Sequence, residues 1–329
     1  MKNILKKGIR AVAATAMVGA IAAPLAAYAQ SNYPDRPIKM VVGFAPGGAT
    51  DIVARLIGAE MEKRLGQPIV IDNKAGGGSN IGAAEAARAK PDGYTLFMGT
   101  VAQAINPAVY SKLMYDTRKD FEPVALTMSS PSILVVNPKM SAKTVAELVE
   151  WAKANPGQLT LASSGAGGSP HMAAELLKLR TGIDYLHVPY KGANPAMNDV
   201  LGGVVIGGFK TATAAIPQIQ AGNVRALAVA APQRLPQLPD LPTMAEAGFP
   251  DINVTSWNGV MAPAGTSKAI VDKLNAVIND ILKDPEIVKQ FEARAAVPVG
   301  GSPAYFRAFL DRELNTWADV AKAANVRIN

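Results

Sequence analysis

Two stretches of the 329-residue chain place glycine and hydroxyl residues where backbone amides could grip an anion. The first is Phe44-Ala45-Pro46-Gly47-Gly48-Ala49-Thr50-Asp51. The second is Ser163-Ser164-Gly165-Ala166-Gly167-Gly168-Ser169-Pro170-His171. Each follows a short apolar run and precedes a helical pattern. A helix start leaves its first amides without intrahelical acceptors, and its dipole favours an anion there by about 0.3–1 kcal/mol. Glycine allows the close approach to backbone that a side chain would block. One such turn is weak evidence, because strand-to-helix loops often use glycine for turning alone. A matched pair in separate halves of the chain could face each other across a cleft and hold one small anion.

Other chemistries find little support. The chain has no cysteine, which removes thiolate nucleophiles, disulfides, Cys-ligated zinc and a lipid anchor on cysteine. Its two histidines, His171 and His187, lie too far apart for a zinc-type H-E-x-x-H site. No Walker pattern occurs, Gly76-Gly77-Gly78 lacks the spacing of a dinucleotide turn, and no serine sits in G-x-S-x-G. No cofactor, metal or catalytic residue is therefore expected. His171 reads either as a donor to the anion or as a capping or packing histidine. His187 reads as a half-buried strand residue, and Trp257 as core or as a cleft wall. Asp51 would repel an anion if it pointed inward, so it reads as an acceptor that holds the first turn open.

The elements that must position these loops follow from the apolar pattern. Ile38–Phe44, Ile69–Ile71 and Thr95–Met98 are short buried strands, alternating with helical patterns from Ile52 and from Ile81. The same grammar restarts with strand Ile133–Val136, a helix from Thr144 to Ala154, strand Leu159–Ala162 and a helix opened by Ser169-Pro170. From Thr266 the chain reads as mainly helical. Such β-loop-α alternation predicts α/β units with parallel strands.

Lys2, Lys6, Lys7 and Arg10 precede an uncharged apolar run, Ala11 to Ala23, and Ala27-Tyr28-Ala29 supplies a small-residue cleavage site. That is the pattern of a cleaved signal peptide, residues 1–29. Removing those four from 33 basic residues leaves 29 against 26 acidic ones, a net charge of +3 rather than +7. Nucleic-acid binding thereby loses its electrostatic basis. The remaining 300 residues exceed a usual single core, so two domains are expected.

Several segments, in order, resemble the periplasmic solute-binding proteins of tripartite tricarboxylate transport systems, the Bug family. They are YPDRPIKMVVGFAPGGATD, GQPIVIDNKAGGGSNIGA, KPDGYTLFMGT, HVPYKGANPAMNDVLGG, RALAVAAPQRLPQLPDLPTMAEAGFP and SWNGVMAPAGTS. The resemblance covers essentially all of the mature chain. It implies a two-lobed, type II periplasmic-binding-protein fold that closes on its ligand, each lobe a mostly parallel sheet with flanking helices. The lobes would comprise residues 30–126 plus 258–329, and 127–257. In the family, backbone groups and ordered waters from one loop of each lobe hold a ligand carboxylate. Those loops match Phe44–Asp51 and Ser163–His171. The expected ligand-binding residues are therefore Phe44, Ala45, Gly47, Gly48, Thr50, Asp51, Ser163, Ser164, Gly165, Gly168, Ser169 and His171, with Thr100 of KPDGYTLFMGT.

The chain departs from the family after NDVLGG, where Ile206 stands at a usual acid and Lys210 where Asp or a neutral polar residue is frequent. If Lys210 meets the far end of the ligand, a dicarboxylate with an apolar middle is favoured; the alternative is that Lys210 points to solvent. The resemblance implies a monomeric periplasmic receptor that hands a small organic mono- or dicarboxylate to membrane permease subunits, without nucleic acid. The competing readings are an enzyme on a similar scaffold, which would have to use Asp51, His171 or Lys210, and a ligand-sensing partner of a membrane receptor.

Overall fold

The computed structural model describes residues 33–328, so the expected signal segment lies outside the described residues. The chain opens with β1 (Ile38–Val42), α1 (Ala49–Leu65), β2 (Ile69–Asn73), a 3-10 turn at Gly77–Ser79, α2 (Asn80–Ala87), β3 (Thr95–Thr100) and α3 (Ala102–Val109). A long strand, β4 (Phe121–Val136), leads into α4 (Val145–Ala154), β5 (Thr160–Ser163), α5 (Ser169–Thr181), β6 (Leu186–Pro189) and α6 (Ala193–Gly202). Then come β7 (Gly207–Thr211), α7 (Ala212–Gln220), β8 (Arg225–Ala230) and β9 (Thr255–Pro263). The chain finishes with α8 (Lys268–Ile281), α9 (Pro285–Glu292), β10 (Val297–Gly300) and α10 (Pro303–Ala323), so one strand interrupts the stretch expected to be mainly helical.

Each lobe is built on three parallel strands, β2-β1-β3 in one and β6-β5-β7 in the other. β1 and β3 are buried on both faces, which is why their sequences are continuous apolar runs rather than alternating ones. Antiparallel strands join the two sets and make the sheet mixed. β9 pairs with β3 and with β4 up to Pro131, while β4 from Ser132 to Val136 pairs with β7 and β8. The chain passes between lobes once in each direction, so its two crossing strands must run opposite ways.

α1 and α5 end alike. Gly66 and Gly182 adopt left-handed φ of 70° and 70°, and their amides close on Glu62 and Lys178 carbonyls. One apolar core lies between β1, α1 and α8; another between the end of β4, α6 and α7. Trp257 belongs to a third core beneath α10. It is 2% exposed, its Nε1 donates to Glu313 at 2.8 Å, and it meets Phe306 and Phe309 edge-on. It is a core residue and forms no part of the cleft wall. Among the described residues no helix is long and apolar enough to cross a membrane.

Candidate functional site

A cavity of about 470 Å³, its open mouth included, lies between the lobes. Five helix starts reach it. Gly48, Ala49 and Thr50 come from α1, Ala102 from α3, Gly168, Ser169 and Pro170 from α5, Ala193 from α6, and Thr211 stands just before α7. Phe44, Thr100, Val101, Ser164, Ser256 and Asn258 complete the lining. None of these side chains carries a charge. The potential in the cavity therefore comes from amides and helix dipoles, all presenting their positive ends. Thr50 Oγ1 accepts from Asn258 Nδ2 at 3.4 Å, which leaves its proton free to donate. The Ser164 and Ser169 hydroxyls make no hydrogen bond to protein among the described residues. Oriented donors converging on a small space suit a compact anion.

The loops themselves are tied down from behind. In the first, Asp51 is buried, and its Oδ2 accepts from Gly47 N at 2.9 Å and from Arg55 Nε at 2.9 Å. Its Oδ1 accepts from Asn73 Nδ2 at 2.9 Å. Burial pushes this carboxyl up, but the bonds from Arg55, Gly47 and Asn73 outweigh it and hold it below its ordinary value. In the second loop, His171 Nδ1 accepts from Gly167 N at 3.2 Å. A backbone amide can only donate, so the ring proton is on Nε2, which faces Glu175 at 3.5 Å. His187 stacks on His171, with centroids 3.9 Å apart, and its Nε2 meets Ser163 Oγ at 2.7 Å. That hydroxyl in turn bonds the Gly165 carbonyl at 3.0 Å. Burial, helped by the neighbouring His171 and opposed by Glu175, pushes His187 down to about 4.

The lobes touch across the cleft. Ala45 N donates to the Lys191 carbonyl at 2.9 Å, and Tyr110 Oη to the Ala166 carbonyl at 3.1 Å. Gly47 (φ 80°) lies under Asn194 of the opposite lobe, and Gly167 (φ 78°) against Asn106. A Cβ at either glycine would stand 2.3–2.4 Å from the asparagine's amide group, so only glycine fits both the conformation and the contact.

Of the residues expected from the sequence, Phe44, Gly48, Thr50, Thr100, Ser164, Gly168 and Ser169 line the cavity. Ala45, Gly47, Asp51, Ser163 and His171 build the loops behind it. Gly165 opens onto a neighbouring cavity of about 250 Å³, which shares Phe44 and Ser164 with the first. Lys210 neither lines the cavity nor points to solvent. It is 3% exposed, and its Nζ turns to the Ala162 and Ala196 carbonyls at 3.3 and 3.4 Å. Val101, Ala102, Ala193, Thr211, Ser256 and Asn258 were missed by sequence reasoning. Small neutral residues carry no chemical signature, and only the starts of α3, α6 and α7 could have pointed to the first four.

Two α/β lobes bridged by two strands, with the site between them, form the architecture of a periplasmic solute-binding protein. The chain belongs to the tripartite tricarboxylate transporter family of receptors, whose family model matches residues 53–326. It is 38% identical over 310 residues to Protein BugT of Bordetella pertussis, covering 94% of each chain. Among solved structures it is similar to Rpa4515 of R. palustris with adipate, at 37% identity and a TM-score of 0.87, covering 90% of this chain and 99% of that one. It is also similar to MatC from Rhodopseudomonas palustris with bound malate, at 35% identity and a TM-score of 0.85, covering 88% and 99%.

Proposed function

We propose that this chain captures a small organic carboxylate between its lobes and delivers it to the membrane subunits of a tripartite transporter. The observation that carries the reading is the convergence of five helix starts on a cavity without a single charged lining side chain. Such a site attracts one anionic group and has nothing to react with it. Asp51, His171 and Lys210 are all turned to partners outside the cavity, so no enzymatic step is proposed. A dicarboxylate is the proposed class, because relatives 37% and 35% identical hold adipate and malate. The neighbouring cavity beyond Phe44 and Ser164 offers room for the rest of such a molecule.

Export through a cleaved signal ending at Ala29, and a monomeric receptor, belong to the same proposal. So do Gly48, Thr50, Ser164, Gly168 and Ser169 as ligand contacts. We place the lobe boundaries where β4 changes partners, after Pro131, and near Val254 before β9. A thermal-shift panel of mono- and dicarboxylates tests the reading. A true ligand at a hundredfold excess over its Kd stabilises the fold by about 2.7 kcal/mol. A panel without any shift, confirmed by calorimetry, overturns it.

A further inference from the structure

Lys210 is the one buried amine among the described residues. Its Nζ touches two backbone carbonyls and, among the described residues, no carboxylate. Ala162 lies two residues before Ser164, Ala196 lies one turn into α6 from Ala193, and Thr211 follows Lys210 in β7. Ser164, Ala193 and Thr211 all line the cavity, so the carbonyls that hold the amine belong to the segments that build its wall.

The elements packed around it supply little charge. β5, α7 and the facing part of β4 carry no titratable group. α5, which also packs on β7, carries His171 and Glu175, bonded to Gly167 and Tyr185, and Lys178 and Arg180, paired with Asp184 and Asp251. α6 carries Asp199, which accepts from the Tyr190 hydroxyl. β6 carries His187, occupied with Ser163, and β8 carries Arg225, which donates to the Met140 and Ala142 carbonyls.

We propose that Lys210 is the counter-charge of the anion site, acting through the wall, so that a carboxylate enters the cavity together with a proton taken up on this amine. The balance is simple: a carboxylate anion and one solvent proton are bound, the proton forms an N–H bond at Nζ, and no net charge is added. Burial pushes the Lys210 ammonium down to about 7, so near neutrality the free protein holds both forms. Unit charges about 10 Å apart in an effective dielectric near 20 favour the charged form of the amine on the order of tenfold. The inference rests on the receptor reading above.

The test is calorimetry of adipate and malate binding in two buffers of different ionisation enthalpy, from pH 6.5 to 9. The expected result is uptake of about half a proton per ligand near pH 7.5, with affinity falling about tenfold as pH rises across the range. In Lys210→Met the uptake and the pH dependence should both disappear. Lysine-selective NMR of the unmutated protein adds an independent measurement: one lysine should titrate near neutrality and move upward when adipate is added. Binding without proton uptake, uptake that survives Lys210→Met, or no lysine titrating below pH 9 overturns the inference and leaves the receptor reading standing. Failure of every carboxylate to bind overturns both.

Discussion

The loop that opens α1 and the loop that opens α5 follow the same path and are locked by different chemistry. Gly47 and Gly167 have φ of 80° and 78°, and Gly48 and Gly168 cap their helices at φ −80° and −86°. In each, the fourth residue on accepts the amide of the first glycine: Asp51 from Gly47, His171 from Gly167. What faces the cavity is nearly the same backbone twice. The lock behind it needs an acceptor at that spacing, and a carboxylate or a neutral imidazole will serve. They differ in how they answer to acid. Asp51 sits below the ordinary carboxylate value, so its stabilisation holds until the pH falls through that depressed value. His187, stacked behind the second lock, prefers to be neutral in the fold. Its stabilisation is complete above about pH 6.5 and drains away as pH falls towards 4.

The largest effect expected from this pairing is on closure. A Cβ at Gly48 would lie 3.4 Å from Ala193 Cβ of the opposite lobe, so Gly48→Val should wedge the lobes apart and cut carboxylate affinity a hundredfold or more, about 3 kcal/mol. At Gly168 the Cβ meets its own loop, the Gly165 carbonyl at 3.4 Å, so Gly168→Val should lower the melting temperature and cost about tenfold in affinity. Calorimetry and melting of both variants check this; identical behaviour would mean the two glycines are equivalent.

Removing the locks comes next. Asp51→Ala strands the Gly47 amide and Asn73, and urea unfolding should show a loss of about 3 kcal/mol. His171→Ala strands one amide and should lose about 2 kcal/mol. A larger loss at His171 would reverse the ranking.

Acid should then separate the lobes' behaviour. With His187 moving from about 6.5 to about 4, lowering the pH to 5 should remove about 2 kcal/mol of stability. His187→Asn should flatten that slope. Hydrogen exchange at pH 5 should quicken in residues 165–172 before residues 47–52; simultaneous opening of both loops would count against two separate locks.

The smallest effects belong to the hydroxyls. Ser164→Ala and Ser169→Ala should each weaken carboxylate binding by about 1 kcal/mol, roughly fivefold, without altering the melting temperature of the free protein. No change in either would leave the amides alone to hold the anion.

Both loops were legible because glycine, hydroxyl and helix-start residues follow apolar runs, and strands β1, β3 and β5 read directly as buried segments. Asp51 was read as an acceptor that holds the first turn open, as it does. His171 was left between donor, cap and packing residue, and the match of G-G-x-x-D with G-G-x-x-H went unread, since an acceptor four residues on has no meaning until the turn's path is known. Lys210 was misplaced for a physical reason. Alternation along β7 puts Lys210 and Phe209 on opposite faces, and nothing local says which face meets the cavity. Thr211, one residue on, has that place. Ala193 and Ala102 matter only through their backbone, which the residue type does not announce.

The chain's double crossing between lobes also sets an order of events in folding. β9 fills the gap between β3 and β4, and pairs Phe97 with Met261 across more than a hundred and sixty intervening residues. Until residues 255–263 arrive, the first lobe is two unjoined pieces, one ending at β3 and the other at the start of β4. The second lobe needs only residues 132–230 for its sheet. Long-range pairing is slow to form, so the second lobe should fold first and the first should wait for its missing strand. Pulse-labelling during refolding should find the Ile133–Val136 amides protected before those of Phe97–Thr100, and the reverse order would refute it. A chain with this topology stays incomplete, and exposes the edge of β3, for most of the time it takes to emerge.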